Sequence, residues 1–177
     1  AGILDSSRFK YFLSQEIKVP VKNIETLVLG GHGDTMVPMP SHTTVDGKSI
    51  EHLVKENKIT KEKLDEIIDR TRKGGGEIGK LLQKGSAFYA PAASAIEMAE
   101  SYIKNLRKVL PCAAYLSGEY GVNDLYAGVP VMIGKNGVEK VVEINLGSDE
   151  QKNFDLSIKA VKDLMLKAQK IDPKLLN

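Results

Sequence analysis

The sequence predicts an α+β domain, with long helices packed on an antiparallel meander. Three observations carry that reading. Phe154, Ile158, Val161, Met165 and Ala168 recur at i, i+4, i+7, i+11 and i+14, the apolar stripe of one helix face. Leu64, Ile67 and Ile68 mark a second amphipathic helix. Between them lie three strand-like runs, Val109 to Leu116, Gly128 to Gly134 and Val138 to Leu146. The last two flank Lys135-Asn136-Gly137, and Asn-Gly is the strongest short hairpin signal. Helices combined with an antiparallel meander belong to the α+β class.

Each element has a local cause. Near the start, Phe9, Phe12, Leu13 and Ile17 follow at helical spacing, and Asp5 is expected to cap that helix. Pro20 ends it, because proline disfavours helix in the residue before it. Ile24 to Leu29 reads as a short strand running into Gly30-Gly31-His32-Gly33-Asp34. Met36-Val37-Pro38-Met39-Pro40 is extended, since proline cannot continue a helix interior or a central ladder. Thr43 to Gly47 reads as a short strand with an Asp-Gly turn, and Ile50 to Val54 as a short helix.

Thr60 is expected to cap the next helix, with Ile59 and Leu64 as its hydrophobic staple. Gly74-Gly75-Gly76 is expected to break or bend that helix, which resumes over Glu77 to Gln83. A further helix is expected from Pro91 to Leu106, with Ala92, Ala95, Ile96, Ala99 and Ile103 as its apolar face. The last helix is expected to open on a capping box of Ser148 and Gln151 and to stop before Asp172-Pro173.

Composition narrows the function classes. The chain has 177 residues, long enough to bury a real core as one domain. Its 25 basic and 23 acidic residues are interspersed with a net charge of +2, and no basic stripe points to nucleic acid. The single cysteine, Cys112, excludes an intrachain disulfide. It sits in an apolar strand-like run, which predicts a buried thiol and fits a reducing, cytoplasmic setting. No apolar run approaches the ~18 residues of a membrane span, and without a basic-then-apolar opening no signal peptide is expected. Starting on Ala1 with helix almost at once, the chain is expected to be a piece of a longer protein.

His32 carries the sharpest chemical signal. Glycines on both sides allow a sharp turn and close approach, and histidine exchanges protons near neutral pH. A plain glycine turn that happens to hold a polar residue is the alternative. Asp5 and Arg8 stand at i and i+3 and share a helix face. Alone they read as a cap and an exposed arginine. Beside His32 they read as a carboxylate that orients an imidazole and a guanidinium that grips a substrate carboxylate. Gly74-Gly75-Gly76-Glu77-Ile78-Gly79 spells G-x-G-x-x-G, but it follows a charged helical stretch where a dinucleotide fingerprint must follow a strand. A nucleotide, if used, binds mainly outside this chain.

Two stretches, Leu4-Asp5-Ser6-Ser7-Arg8-Phe9-Lys10-Tyr11-Phe12-Leu13 and Gly30-Gly31-His32-Gly33-Asp34-Thr35-Met36-Val37-Pro38, resemble the catalytic segments of the lactate/malate dehydrogenases. The resemblance continues through Arg70-Thr71-Arg72, Gly85 to Ser94, Leu110 to Tyr115 and Gly118-Glu119-Tyr120-Gly121, and so spans nearly the whole chain. It is strongest for malate dehydrogenases of the lactate-dehydrogenase-like type, where a glycine such as Gly31 precedes the histidine.

The resemblance implies that residues 1–177 form the substrate-side C-terminal domain, without the N-terminal Rossmann domain that binds NAD. It implies that His32 exchanges a proton with malate or oxaloacetate, that Asp5 orients it, and that Arg8 binds the substrate carboxylate. Ser86 and Ala87 would fall in the substrate pocket and Pro91 in the nicotinamide pocket. The separate chain is then expected to lack dehydrogenase activity and tight NAD binding. The full-length protein is expected to be a homodimer or homotetramer, with Phe9 and Phe12 of the first helix exposed for contacts. Two other readings stay open. One is a lactate dehydrogenase, which the absent substrate loop would decide. The other is a non-catalytic interaction module with a metal on His32, Asp34 and His42, although their spacing matches no strong zinc pattern.

Overall fold

The computed structural model describes residues 1–176. Helix α1 (Gly2–Ile17) is followed by two-residue strands β1 (Ile24–Glu25), β2 (Val28–Leu29), β3 (Val37–Pro38), β4 (Thr44–Val45) and β5 (Lys48–Ser49). Then come α2 (Ile50–Lys55), α3 (Lys61–Leu82) and α4 (Tyr89–Ile103). The meander β6 (Lys108–Ser117), β7 (Asn123–Gly134) and β8 (Gly137–Val141) leads into α5 (Ser148–Ile171). All strand pairs are antiparallel, in sheets ordered β1-β4-β5, β2-β3 and β6-β7-β8. The α+β expectation holds.

Two cores flank the region that matters for function. In one, Leu110, Cys112, Ala114 and Leu116 of β6 alternate inward and meet Phe154 and Ile158 of α5. In the other, Phe9 and Leu13 of α1 pack with Ile24, Val28 and Met36 and with Leu64 and Ile67 of α3. An isolated backbone bridge between Gly30 and Gly128 joins the two halves.

Several expected details come out differently. Asp5 does not cap α1, which begins at Gly2 with Ala1 as N-cap. Asp5 lies inside the helix and is buried. Phe9 is fully buried and Phe12 half-buried, so neither is the exposed contact expected of it. The predicted strand from Ile24 to Leu29 is split, because Thr26 Oγ1 donates to Ser6 O and Leu27 O accepts from Met39 N–H. Gly74-Gly75-Gly76 does not interrupt α3, which is continuous for 22 residues with Thr60 as its cap.

Helix α4 starts two residues early, and its expected apolar face points outward, with Ile96 66% and Ile103 77% exposed. It seats instead through Ser101, whose hydroxyl donates to Ile133 O at 2.7 Å. β7 begins at Asn123, earlier than its apolar run, because a register shift at Leu116/Ser117 lets polar Asn123 pair with Ser117. β8 ends at Val141, where the Tyr120 hydroxyl takes over, donating to Val142 O and accepting from Ile144 N–H. The cap of α5 is Gly147, whose N–H donates to Glu150 Oε2 at 3.0 Å, one residue before the predicted box.

Candidate active site

β2 delivers the chain into the turn that carries His32. Gly30 (φ 81°) and Gly33 (φ 95°) hold left-handed conformations that cost other residues energy, which is why glycines bracket the histidine. The turn is pinned from two sides. Gly30 exchanges backbone hydrogen bonds with Gly128 at 2.8 and 3.0 Å. Gly31 N–H donates to the buried Ser157 hydroxyl of α5 at 2.8 Å.

α1 is laced to the same strand. Val28 N–H donates to Ser6 Oγ at 3.0 Å, and Thr26 Oγ1 donates to Ser6 O at 2.8 Å. These bonds hold the helix in the place where Asp5 reaches the histidine. Asp5 Oδ2 lies 2.9 Å from His32 Nδ1. A carboxylate only accepts, so the hydrogen sits on Nδ1 and Nε2 is left for a ligand. The Asp5 side chain is 3% exposed and the His32 side chain 50% exposed: a buried anchor and an open ring.

Arg8 lies one helical turn on, its Nη1 3.7 Å from Asp5 Oδ1 and its side chain 10% exposed. Its Nε–H is buried without a hydrogen-bond partner, and so is Asp5 Oδ1. Unpartnered buried polar groups are costly, and this Nε–H lies where the Arg8 side chain packs along Gly74 of α3. A cleft of about 520 Å³ opens against Arg8 and His32 and is also lined by Arg72, Lys73 and Lys80. The two carboxylates on its wall are Asp34 and Glu77. Arg70 donates two hydrogen bonds to Glu77, at 3.0 and 2.7 Å, and those bonds hold the Glu77 carboxyl below its ordinary range. The balance of charge in the cleft favours a small anion.

The structure therefore brings Asp5, Arg8 and His32 together. Ser86 and Pro91 are exposed and Ala87 is half-buried, in the loop before α4 and its first turn, and none of the three lines the cleft between His32 and Arg8. Among the described residues no group of three or more His, Cys, Asp or Glu side chains is placed to hold a metal ion, so His32, Asp34 and His42 do not converge. Cys112 is buried, and desolvation pushes its thiol up to about 11. Ser157 was not anticipated from the sequence. Its signal was a polar residue on the otherwise apolar stripe of α5, between Phe154 and Ile158.

Residues 3–171 match the family model of the lactate/malate dehydrogenase alpha/beta C-terminal domain. The chain belongs to the lactate/malate dehydrogenase family. A malate dehydrogenase of Pelagibacter ubique is 63% identical over 175 residues, a match that covers 99% of this chain and 55% of that protein. The crystal structure of Cryptosporidium parvum malate dehydrogenase superposes with a TM-score of 0.94 at 46% identity, covering 96% of this chain and 54% of that one. The lactate dehydrogenase of Eimeria maxima, solved with NADH and oxamate, reaches a TM-score of 0.94 at 38% identity, covering 98% and 54%. The chain thus spans about half the length of the family members it matches, and both activities occur among its neighbours. Among the described residues no helix is long and apolar enough to cross a membrane.

Proposed function

We propose that this chain is the substrate-side half of an NAD-dependent malate dehydrogenase, which interconverts malate and oxaloacetate. The carrying observation is the Asp5–His32 pair at 2.9 Å beside Arg8, with His32 and Arg8 lining one cleft. In malate oxidation, His32 Nε2 takes the proton of the substrate hydroxyl, and in oxaloacetate reduction it returns that proton to the carbonyl oxygen. Asp5 fixes the ring and faces the positive charge the imidazole gains. Arg8 holds the carboxylate next to the reacting carbon, through guanidinium nitrogens that can donate two parallel hydrogen bonds.

NAD, when bound, takes up or supplies the hydride. The residues present suit it only at the reacting end, where Nε2 and the cleft meet. Gly74 to Gly79 lies inside α3 and cannot serve as a phosphate turn, so dinucleotide binding is assigned to an N-terminal Rossmann domain outside this chain. Ser86, Ala87 and Pro91 are assigned to the pocket wall that this domain completes. In isolation the chain is then inactive and does not bind NAD tightly. Malate is preferred to lactate because the 63% identical relative is a malate dehydrogenase. A cytoplasmic location and a homodimeric or homotetrameric assembly complete the proposal.

The deciding experiment compares NADH-dependent reduction of oxaloacetate and pyruvate by the full-length protein carrying this chain. Preference for oxaloacetate is expected. Preference for pyruvate would make it a lactate dehydrogenase, and turnover of neither would remove the proposal.

A further inference from the structure

The glycine run of α3 has a use that neither a helix break nor a nucleotide fingerprint explains. Glycine weakens a helix interior relative to alanine, yet three stand consecutively inside a continuous 22-residue helix. Their surroundings differ. A Cβ added at buried Gly74 would stand 3.1 Å from Arg8 Cδ and 3.5 Å from Arg8 Nε. At Gly75 it would stand 3.6 Å from Nη1 and 3.8 Å from Nη2. At Gly76 and Gly79 it would meet nothing within 4 Å. The bare backbone of α3 thus forms a groove along the Arg8 side chain, tightest at its stem.

We infer that Gly74 and Gly75 seat the Arg8 guanidinium, and that Gly74 is a positioning residue for the carboxylate clamp. The inference rests on the reading of Arg8 as that clamp. Arg8 has little room to yield, since its side chain is 10% exposed and ends 3.7 Å from Asp5. A methyl group at Gly74 displaces the stem by a few tenths of an ångström and swings the guanidinium off the line it holds into the cleft. The cost falls on substrate binding more than on proton transfer, because His32 is held by Asp5 and the β2 turn.

The test uses the full-length protein and oxaloacetate as probe, with steady-state kinetics and the Arg8 Nε–H resonance as readouts. Gly74→Ala is expected to raise KM about tenfold, as weakening a hydrogen bond between charged groups does, with a smaller change in kcat and a shifted Nε–H signal. Gly75→Ala, in ordinary contact with the guanidinium, raises KM less and carries the test if Gly74→Ala does not fold. Gly79→Ala raises the melting temperature and leaves KM unchanged.

A parental KM and an unmoved Nε–H signal in Gly74→Ala would overturn the inference. So would an equal rise in KM in Gly79→Ala, because the effect would then be helix rigidity. Arg8→Gln separates the two levels. If it leaves KM unchanged, the clamp reading fails, and the Nε–H signal alone decides whether the groove seats Arg8.

Discussion

Replacing Asp5 by asparagine isolates the contribution of one charge. The side chains match in shape, and Asp5 is 3% exposed, so no water replaces what is lost. The 2.9 Å contact to His32 Nδ1 is a hydrogen bond to a carboxylate. Such bonds contribute about 1.5–3 kcal/mol. At ~1.36 kcal/mol per tenfold in rate, the expected fall in kcat is roughly 10- to 150-fold. An amide can also turn its N–H₂ toward Nδ1, which moves the ring hydrogen to Nε2 and removes the acceptor the substrate needs. KM changes little, because Arg8 keeps its place in the groove of α3. The assay is NADH-dependent oxaloacetate reduction by the full-length protein, with thermal unfolding to confirm a folded variant. An unchanged kcat in a folded Asp5→Asn protein would show that the Asp5 charge does not support His32. A rise in KM with parental kcat would assign Asp5 to Arg8 instead.

Other outcomes follow from the same contacts. Phe9 is fully buried between α1 and α3, so Phe9→Ala should cost about 3–5 kcal/mol by denaturant unfolding; a parental midpoint would return Phe9 to the surface. Ser157→Ala removes the acceptor of Gly31 N–H, leaving a turn donor unpaired at a cost of about 1–3 kcal/mol. Both the unfolding midpoint and kcat should fall, and parental values for both would show that the bridge to Gly128 suffices. Burial raises the Cys112 thiol from 9.0 to about 11, so its contribution to stability is full below pH 9 and is lost as the pH rises toward 11. Folded protein should resist iodoacetamide at pH 8, and rapid alkylation there would contradict the buried placement.

Much of the architecture was legible because it depends on local signals. The first part of the α5 stripe (Phe154, Ile158 and Val161), the Asn136-Gly137 hairpin and the Thr60 cap each lie within one short window of sequence, whereas Met165 farther along that stripe is exposed. The misplaced details depend on partners far along the chain. Asp5 resembled a cap because His32, its true partner, is 27 residues away. The alanines of α4 resembled a core face because periodicity marks an apolar stripe without saying whether this chain covers it. Gly74 resembled a break because propensity takes no account of Arg8 across the helix pair. The residues that meet at the site were named in advance, but the supports were not. Ser6, Ser157 and the glycine groove act through contacts that no single window contains.

Proton exchange between His32 and the substrate is the step on which the proposed chemistry depends. Single-turnover oxaloacetate reduction by full-length His32→Gln protein, preloaded with NADH, tests that alone. The glutamine fills the space and can hydrogen-bond but cannot take up the proton. The chemical step is expected to slow by about 10²–10⁴-fold with oxaloacetate still bound. A chemical step at the parental rate would contradict proton exchange by His32.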